Sequence, residues 1–147
     1  MVKKILFPTD GSENSKKAID YAVEIAKSFS AKVLIVHSYE IPAVVYAHPS
    51  ATINYYYLKG DLEKSLEDSG TAILNEIRTE FESRGVNADV LLKKGEAGFV
   101  ITEEAEKEAC DMIIMGTRGL GTVKSLLLGS VSNYVIHHTK CSVFLVH

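Results

Sequence analysis

The sequence predicts an α/β domain: an open, doubly wound parallel sheet of five strands with helices on both faces. Three observations point there. Five short β-rich apolar runs alternate with four segments whose apolar residues recur at helical spacing. The inner runs are apolar without interruption, as strands buried on both faces must be. At 147 residues the chain fits one domain with one core. Alternation of this kind needs right-handed crossovers, which lay helices on both sides of a parallel sheet.

Each element has its own signal. Lys3 to Phe7 is an apolar run that stops at Pro8-Thr9-Asp10-Gly11, so it reads as a buried strand and a turn. Ser12 then suits a helix N-cap, with Glu13 favourable in the first turn. Ala18, Ala22, Ile25, Ala26 and Phe29 give the first helix, 13–29, one apolar face. Lys32 to Tyr39 is the second strand. Glu40 to Leu58 carries Pro42, Pro49 and four tyrosines without a clear period, and reads as an irregular loop with room for one helical turn. A long amphipathic helix is expected from Gly60 or Asp61 to about Arg84, with Leu62, Leu66, Ile73, Leu74, Ile77 and Phe81 on its stripe and Gly85 as its C-terminal cap. Its acidic face reads as solvated surface. Ala88 to Lys93 is the third strand and Ala97 to Ala109 the third helix. Asp111 to Met115 is the fourth strand. Gly116 to Thr122 is glycine-rich, and Val123 to Leu128 is short and apolar. Ser130 to Thr139 is the last helix, and Ser142 to Val146 the fifth strand.

Composition narrows the function. Apolar residues make up 46% and charged residues 24%, the balance of a water-soluble globular protein. A net charge of −3 argues against nucleic-acid binding, which rests on Lys and Arg neutralising phosphates. The apolar run after Lys3-Lys4 ends within three residues at Pro8, too short for a secretory signal. No stretch approaches the roughly 18 apolar residues of a membrane span. A cytoplasmic location and no membrane partner are therefore expected. Cys110 and Cys141 lack metal-ligand spacing and read as reduced thiols. Each precedes a strand, so a disulfide is the alternative if those strands are neighbours.

In an open parallel sheet, ligands bind beyond the carboxyl ends of the strands where strand order reverses. Two loops there carry chemistry. Pro8-Thr9-Asp10-Gly11-Ser12 offers a hydroxyl, a carboxylate and a helix N-terminus. Asp10 can accept from an exocyclic amine or a ribose hydroxyl, or with Ser12 it can simply cap the helix. The second loop runs from Gly116 through Thr117, Arg118, Gly119 and Gly121 to Thr122. It is followed by Gly129-Ser130-Val131-Ser132 at a helix start. Glycines let the backbone approach a ligand, and consecutive N–H groups then form an anion-binding nest. The helix N-terminus and the Ser130 and Ser132 hydroxyls add donors. The alternative is a glycine turn before a capped helix. Gly116 and Gly121 have P-loop spacing, but Thr122 stands where the lysine belongs. Gly119-Leu120-Gly121 opens a dinucleotide fingerprint that Lys124 breaks.

One longer pattern fits. Gly116-x2-Gly119-x9-Gly129-Ser130 resembles the signature of the ATP-binding universal stress proteins. The opening KKILFPTDGSENSKKA, the segment DMIIMGTRG and the closing CSVFLVH are similar to the same family, so the resemblance covers essentially the whole chain. It implies a sheet of order 3-2-1-4-5, of the adenine nucleotide alpha hydrolase-like kind, with the loops after strands 1 and 4 side by side. It also implies that Pro8, Thr9 and Asp10 border adenine and ribose. Gly116, Gly119, Gly129, Ser130, Val131 and Ser132 would cradle ribose and phosphates. Ser38, at a position usually apolar in the family, would flank the base beside His37. Met115, Thr117, Arg118, Gly121 and Thr122 complete the candidate site. The implied cofactor is ATP, with Mg or Mn. The implied assembly is a homodimer through antiparallel pairing of strand 142–146, an apolar edge that otherwise favours aggregation.

The leading expectation is therefore a nucleotide-dependent regulatory switch acting in stress responses, with no catalytic residue and no protein metal ligand assigned, and with a protein partner unidentified. The alternative is a slow metal-dependent ATPase or nucleotide hydrolase using Asp10. A phospho-receiver domain would need an aspartate where Lys93-Lys94-Gly95 stands. A flavodoxin-like protein would need a richer Ser/Thr and Gly loop after strand 1. His137 and His138 are adjacent on a helix and point apart, so they read as helix-end residues rather than one metal site. Tyr46, Tyr55, Tyr56 and Tyr57 read as loop packing, or as a lid.

Overall fold

The computed structural model describes residues 1–45, 53–119 and 127–147. Strands and helices alternate as expected: β1 (Lys4–Pro8), α1 (Glu13–Phe29), β2 (Lys32–Tyr39), α2 (Ile53–Ser83), β3 (Ala88–Lys94), α3 (Ala97–Lys107), β4 (Met112–Gly116), α4 (Ser130–His138) and β5 (Ser142–Val146). A short 3-10 turn, Ala43–Val45, follows β2. The five strands form one sheet in the order β3-β2-β1-β4-β5, and every neighbouring pair is parallel.

Side chains alternate across β1 with the period of two that a strand imposes. Ile5 and Phe7 enter the core beneath α1 and α2, while Leu6 enters the core beneath α3 and α4. All three are fully buried. On the first face Phe7 meets Phe81 edge-on, with ring centroids 5.2 Å apart. On the second, Val100, Ile101 and Ala105 of α3 and Val135 of α4 pack on Leu6 and Ile113. The expected inward residues of α3 are thus buried, together with Gly98 and Glu104.

The largest difference from the sequence reading is the start of α2. The helix begins at Ile53, not at Gly60 or Asp61, so part of the segment expected to be a loop is helical. Glycine inside a helix costs about 1 kcal/mol relative to alanine. Once the packed stretch from Leu74 to Phe81 has nucleated the helix, each further turn adds hydrogen bonds cooperatively, and one glycine does not stop it. Tyr46 lies outside the described residues, and Tyr55, Tyr56 and Tyr57 fall on α2.

Other boundaries move by one or two residues. α3 ends at Lys107 because Ala109 turns to φ 50°. β4 begins after Asp111, whose carboxylate instead accepts from the backbone N–H groups of Lys3 and Lys4 at 2.7 and 3.0 Å. The apolar stretch Val123 to Leu128 lies mostly outside the described residues.

Crossovers from β1 and from β4 run in opposite directions, to β2 and to β5. The gap between the carboxyl ends of β1 and β4 is therefore the topological switch point.

Candidate functional site

The turn after β1 is held by its own side chains. Ser12 caps α1, its hydroxyl accepting from the Ser15 N–H at 3.2 Å. Asp10 has a different task from the helix cap. Its Oδ1 accepts from the Ser12 N–H at 2.9 Å, and its Oδ2 faces Gly119 of the loop after β4. A Cβ on Gly119 would overlap that oxygen, so any other residue here would displace the Asp10 carboxylate. Thr9 is buried, accepts from the Gly11 N–H at 3.1 Å and lies 2.9 Å from the Ser15 hydroxyl.

The two glycine-bearing segments converge. The Thr117 carbonyl accepts from the Gly129 N–H at 2.6 Å and from the Ser132 hydroxyl at 2.8 Å. Thr117 is in turn anchored to β5, its N–H donating to the Val146 carbonyl at 2.9 Å. From the other side, Asn14 of α1 donates to the Arg118 carbonyl at 2.8 Å. The start of α4 is thereby drawn against residues 116–119. Gly129 caps α4 without any side-chain hydrogen bond, so the first-turn N–H groups keep their donor capacity toward the space in front. Ser130 is exposed there. The Ser132 hydroxyl, expected to add to an anion cradle, is instead buried and turned inward, donating to Thr117 and to the Gly129 carbonyl at 3.1 Å. It braces the loop.

These segments enclose a cavity of about 630 Å³ at the switch point. Pro8, Thr9 and Asp10 line it from β1, and Ser38 from β2. Met115, Gly116, Thr117, Arg118 and Gly119 line it from β4 and its loop, and Gly129, Ser130, Val131 and Ser132 from α4. Gly121 and Thr122 lie outside the described residues. Asp10 is the one carboxylate among the described lining residues. Sequence reasoning missed the wall that α2 supplies, where Leu66, Ser69 and Ile73 close the cavity. It also missed Asn14. Leu66 and Ile73 belong to an apolar stripe that signals burial, and nothing in that stripe says which members face a cavity.

The rim beyond β2 and β3 is polar. The Tyr39 hydroxyl donates to Glu67 of α2 at 2.7 Å, and Lys94 donates to Glu63 at 2.7 Å. The Glu67 carboxylate, with some burial, pushes the Tyr39 phenol up to about 12. His37 Nδ1 donates to the Thr9 carbonyl at 2.7 Å, tying the end of β2 to that of β1.

Features read elsewhere in the sequence have plain structural places. His137 and His138 end α4, each donating from Nδ1 to a carbonyl four residues back, of Asn133 and Tyr134. Cys110 and Cys141 are free thiols on neighbouring strand starts, and Cys141 Sγ donates to the Cys110 carbonyl at 3.0 Å. Burial pushes the Cys110 thiol up to about 11. Among the described residues no group of three or more His, Cys, Asp or Glu could hold a metal ion. No described helix is long and apolar enough to cross a membrane.

Comparison with known proteins agrees with this architecture. The universal stress protein family model matches residues 1–147. A universal stress protein of Thermus aquaticus is 36% identical over 148 residues, covering 99% of this chain and 99% of the relative. The structure of protein MJ0577, a universal stress protein of Methanocaldococcus jannaschii, superposes with a TM-score of 0.86 at 27% identity, covering 99% of this chain and 96% of that one. A universal stress protein crystallised in complex with cAMP superposes with a TM-score of 0.71 at 26% identity, covering 99% and 97%.

Proposed function

The chain belongs to the universal stress protein family, and from that premise we propose that it is an ATP-binding regulatory protein whose nucleotide-loaded and empty forms present different surfaces. One observation carries the reading: the uncapped N-terminus of α4 and the 116–119 loop meet at Thr117, with the Asp10 carboxylate opposite. A relative 26% identical binds cAMP, which supports an adenine nucleotide as the ligand.

In this reading the phosphates lie against the first-turn N–H groups of α4 and the Ser130 hydroxyl, where backbone donors and the helix dipole favour negative charge. Asp10 accepts from the ribose. The base then extends toward the end of β2 and the α2 wall. A divalent cation fits such a site through the phosphates, since Mg²⁺ keeps most of its waters and takes one or two carboxylates at most. Asp10 is the one carboxylate among the described lining residues, and the cation would neutralise phosphate charge.

The switch follows from position. The loop that would meet the phosphates is anchored to β5 through Thr117 and Val146. β5 is an edge strand with half-buried Val143, Phe144 and Leu145, and Tyr21 and Ile136 stand exposed on α1 and α4. Such an edge calls for a cover. In the proposed cytoplasmic homodimer two β5 strands pair antiparallel, and the state of the phosphate loop reaches that interface through the bonds of Thr117 to Val146 and His147.

Isothermal titration of ATP with Mg²⁺ tests the binding: one saturable site per chain is expected, and no heat of binding disposes of the proposal. Hydrogen exchange tests the switch. Residues 116–119, 129–132 and 142–146 should all gain protection when ATP is added, and protection confined to the first two segments would leave binding without signalling.

A further inference from the structure

The loop after β4 is held by its carbonyls. That of Thr117 takes donors from α4, the Gly129 N–H and the Ser132 hydroxyl. That of Arg118 takes the side-chain amide of Asn14, in the first turn of α1, at 2.8 Å. A carbonyl only accepts, so the amide nitrogen of Asn14 is the atom that faces it. Two consecutive peptide units are thus gripped from two different helices.

A planar trans peptide points its C=O and the following N–H in opposite directions. The described peptide bonds are all trans. Fixing the Arg118 carbonyl on Asn14 therefore fixes the Gly119 N–H to point away from Asn14. Arg118 and Gly119 line the switch-point cavity, and Asn14 is not among the residues that do. Asn14 acts on the loop from outside the cavity wall.

The same side chain meets the loop at a second point. A Cβ on Gly116 would come within 2.9 Å of the Asn14 carbonyl oxygen and 3.0 Å of its amide nitrogen. The first turn of α1 therefore rests on the bare backbone of Gly116. Glu13, one residue earlier, is exposed and pairs with Lys16 of its own helix at 3.7 Å.

We infer that Asn14 is a positioning residue for the phosphates: through the Arg118 carbonyl it holds the 116–119 loop in the orientation that a polyphosphate meets. The inference rests on the nucleotide reading above and adds to it a residue outside the cavity.

The test is titration of the full-length protein with ATP and with inorganic tripolyphosphate, each with Mg²⁺, alongside hydrogen exchange of the empty protein. Asn14→Leu keeps the size of the side chain, adds no charge and removes the donor. Its affinity for both ligands should fall by the same factor, roughly two- to tenfold, the cost of one neutral hydrogen bond. Exchange in 116–119 should quicken while 15–29 keeps its protection. Asn14→Ala should repeat the loss if leucine crowds Gly116. Glu13→Ala separates positioning from helix stability, because it removes a favourable charge from the same turn without touching the loop. It should bind both ligands as the wild type does. Melting curves report the folding of each variant. The wild type offers a check that needs no variant: the Asn14 side-chain amide resonance should shift when tripolyphosphate is added. Absence of that shift, Asn14 variants that fold and bind as before, or an equal loss in Glu13→Ala overturns the inference while ATP binding stands. A loss for ATP without one for tripolyphosphate also overturns it, since the loop would then act on the nucleoside. If the wild type binds neither ligand, the phosphate reading itself falls.

Discussion

The two ends of the sheet differ in what their side chains are bonded to. At the amino ends of the strands, a cavity of about 370 Å³ has most of its polar side chains bonded to the protein. Asp111 accepts from two backbone N–H groups, Glu106 from Lys140, and Thr139 from the Cys141 N–H. His138 and Thr102 donate to carbonyls of their own helices. At the carboxyl ends, the frame of the larger cavity is bonded in this way, through Thr9, Asp10, Ser12, Asn14, His37, Tyr39 and Ser132. Ser38, Ser69 and Ser130 line that cavity without a partner among the described residues, and the α4 N-terminus faces it without a side-chain cap. Protein groups close the first site on itself. The second keeps donors that a ligand can use.

The comparison breaks most visibly at Gly119. Gly119→Val would place a side chain on the Asp10 carboxylate and push the loop away from α4. Hydrogen bonds to charged groups contribute about 1.5–3 kcal/mol each, so losing two lowers ATP affinity roughly a hundredfold or more. The glycine is exposed, and the melting temperature should barely move. Titration and a thermal melt on the same sample check both halves. Undiminished binding would show that this loop is not part of the site.

Two serines only two residues apart sharpen the contrast. Ser130→Ala removes a hydroxyl that no described residue uses, so it should cost up to about tenfold in ATP affinity and leave stability alone. Ser132→Ala removes a buried donor to Thr117 and Gly129. It should destabilise the fold by about 1 kcal/mol, a fall of roughly 2–4 °C in melting temperature. The opposite pattern would exchange their roles.

At the amino ends the expected effect depends on pH. Two backbone N–H groups, of Lys3 and then Lys4, hold the Asp111 carboxyl below its usual range. A depressed folded-state value means the contribution is complete above the unfolded value and is lost as pH falls through the folded one. Asp111→Asn should therefore melt below the wild type at neutral pH, with the gap closing below about pH 4. A gap that persists unchanged at pH 2.5 would assign the loss to packing instead of charge.

Much of this division was legible in the sequence, and the rest was hidden for identifiable reasons. Short apolar runs located all five strands, and Ser12 and Glu13 marked the start of α1 to the residue. Glycine spacing located the loop after β4. What the sequence could not separate was bracing from exposure: Ser130 and Ser132 are alike in composition and differ only in which way a helix turns them. The α2 wall was hidden because Leu66 and Ile73 carry the same periodic signal as true core residues, while Ser69 resembles any solvated helix position. The start of α2 was hidden because Gly60 suggests a boundary that helix cooperativity overrides.

The smallest effect should come from the ion pair beside Asp111. Lys140 and Glu106 meet at 2.7 Å, and each side chain is mostly in water, 85% and 70% exposed. The pairing lowers the Glu106 carboxyl and raises the Lys140 ammonium, but water and salt screen such pairs almost completely. Lys140→Met should leave the melting temperature within error at physiological ionic strength, in contrast to Asp111→Asn on the same cavity. The distinction lies in the donor. Asp111 binds backbone N–H groups already fixed by the sheet, whereas Glu106 binds a long side chain that must be ordered to reach it. If Lys140→Met lowers stability as much as Asp111→Asn, then the amino end is held by its ion pairs, and the contrast between the two ends becomes one of charge instead of backbone bonding.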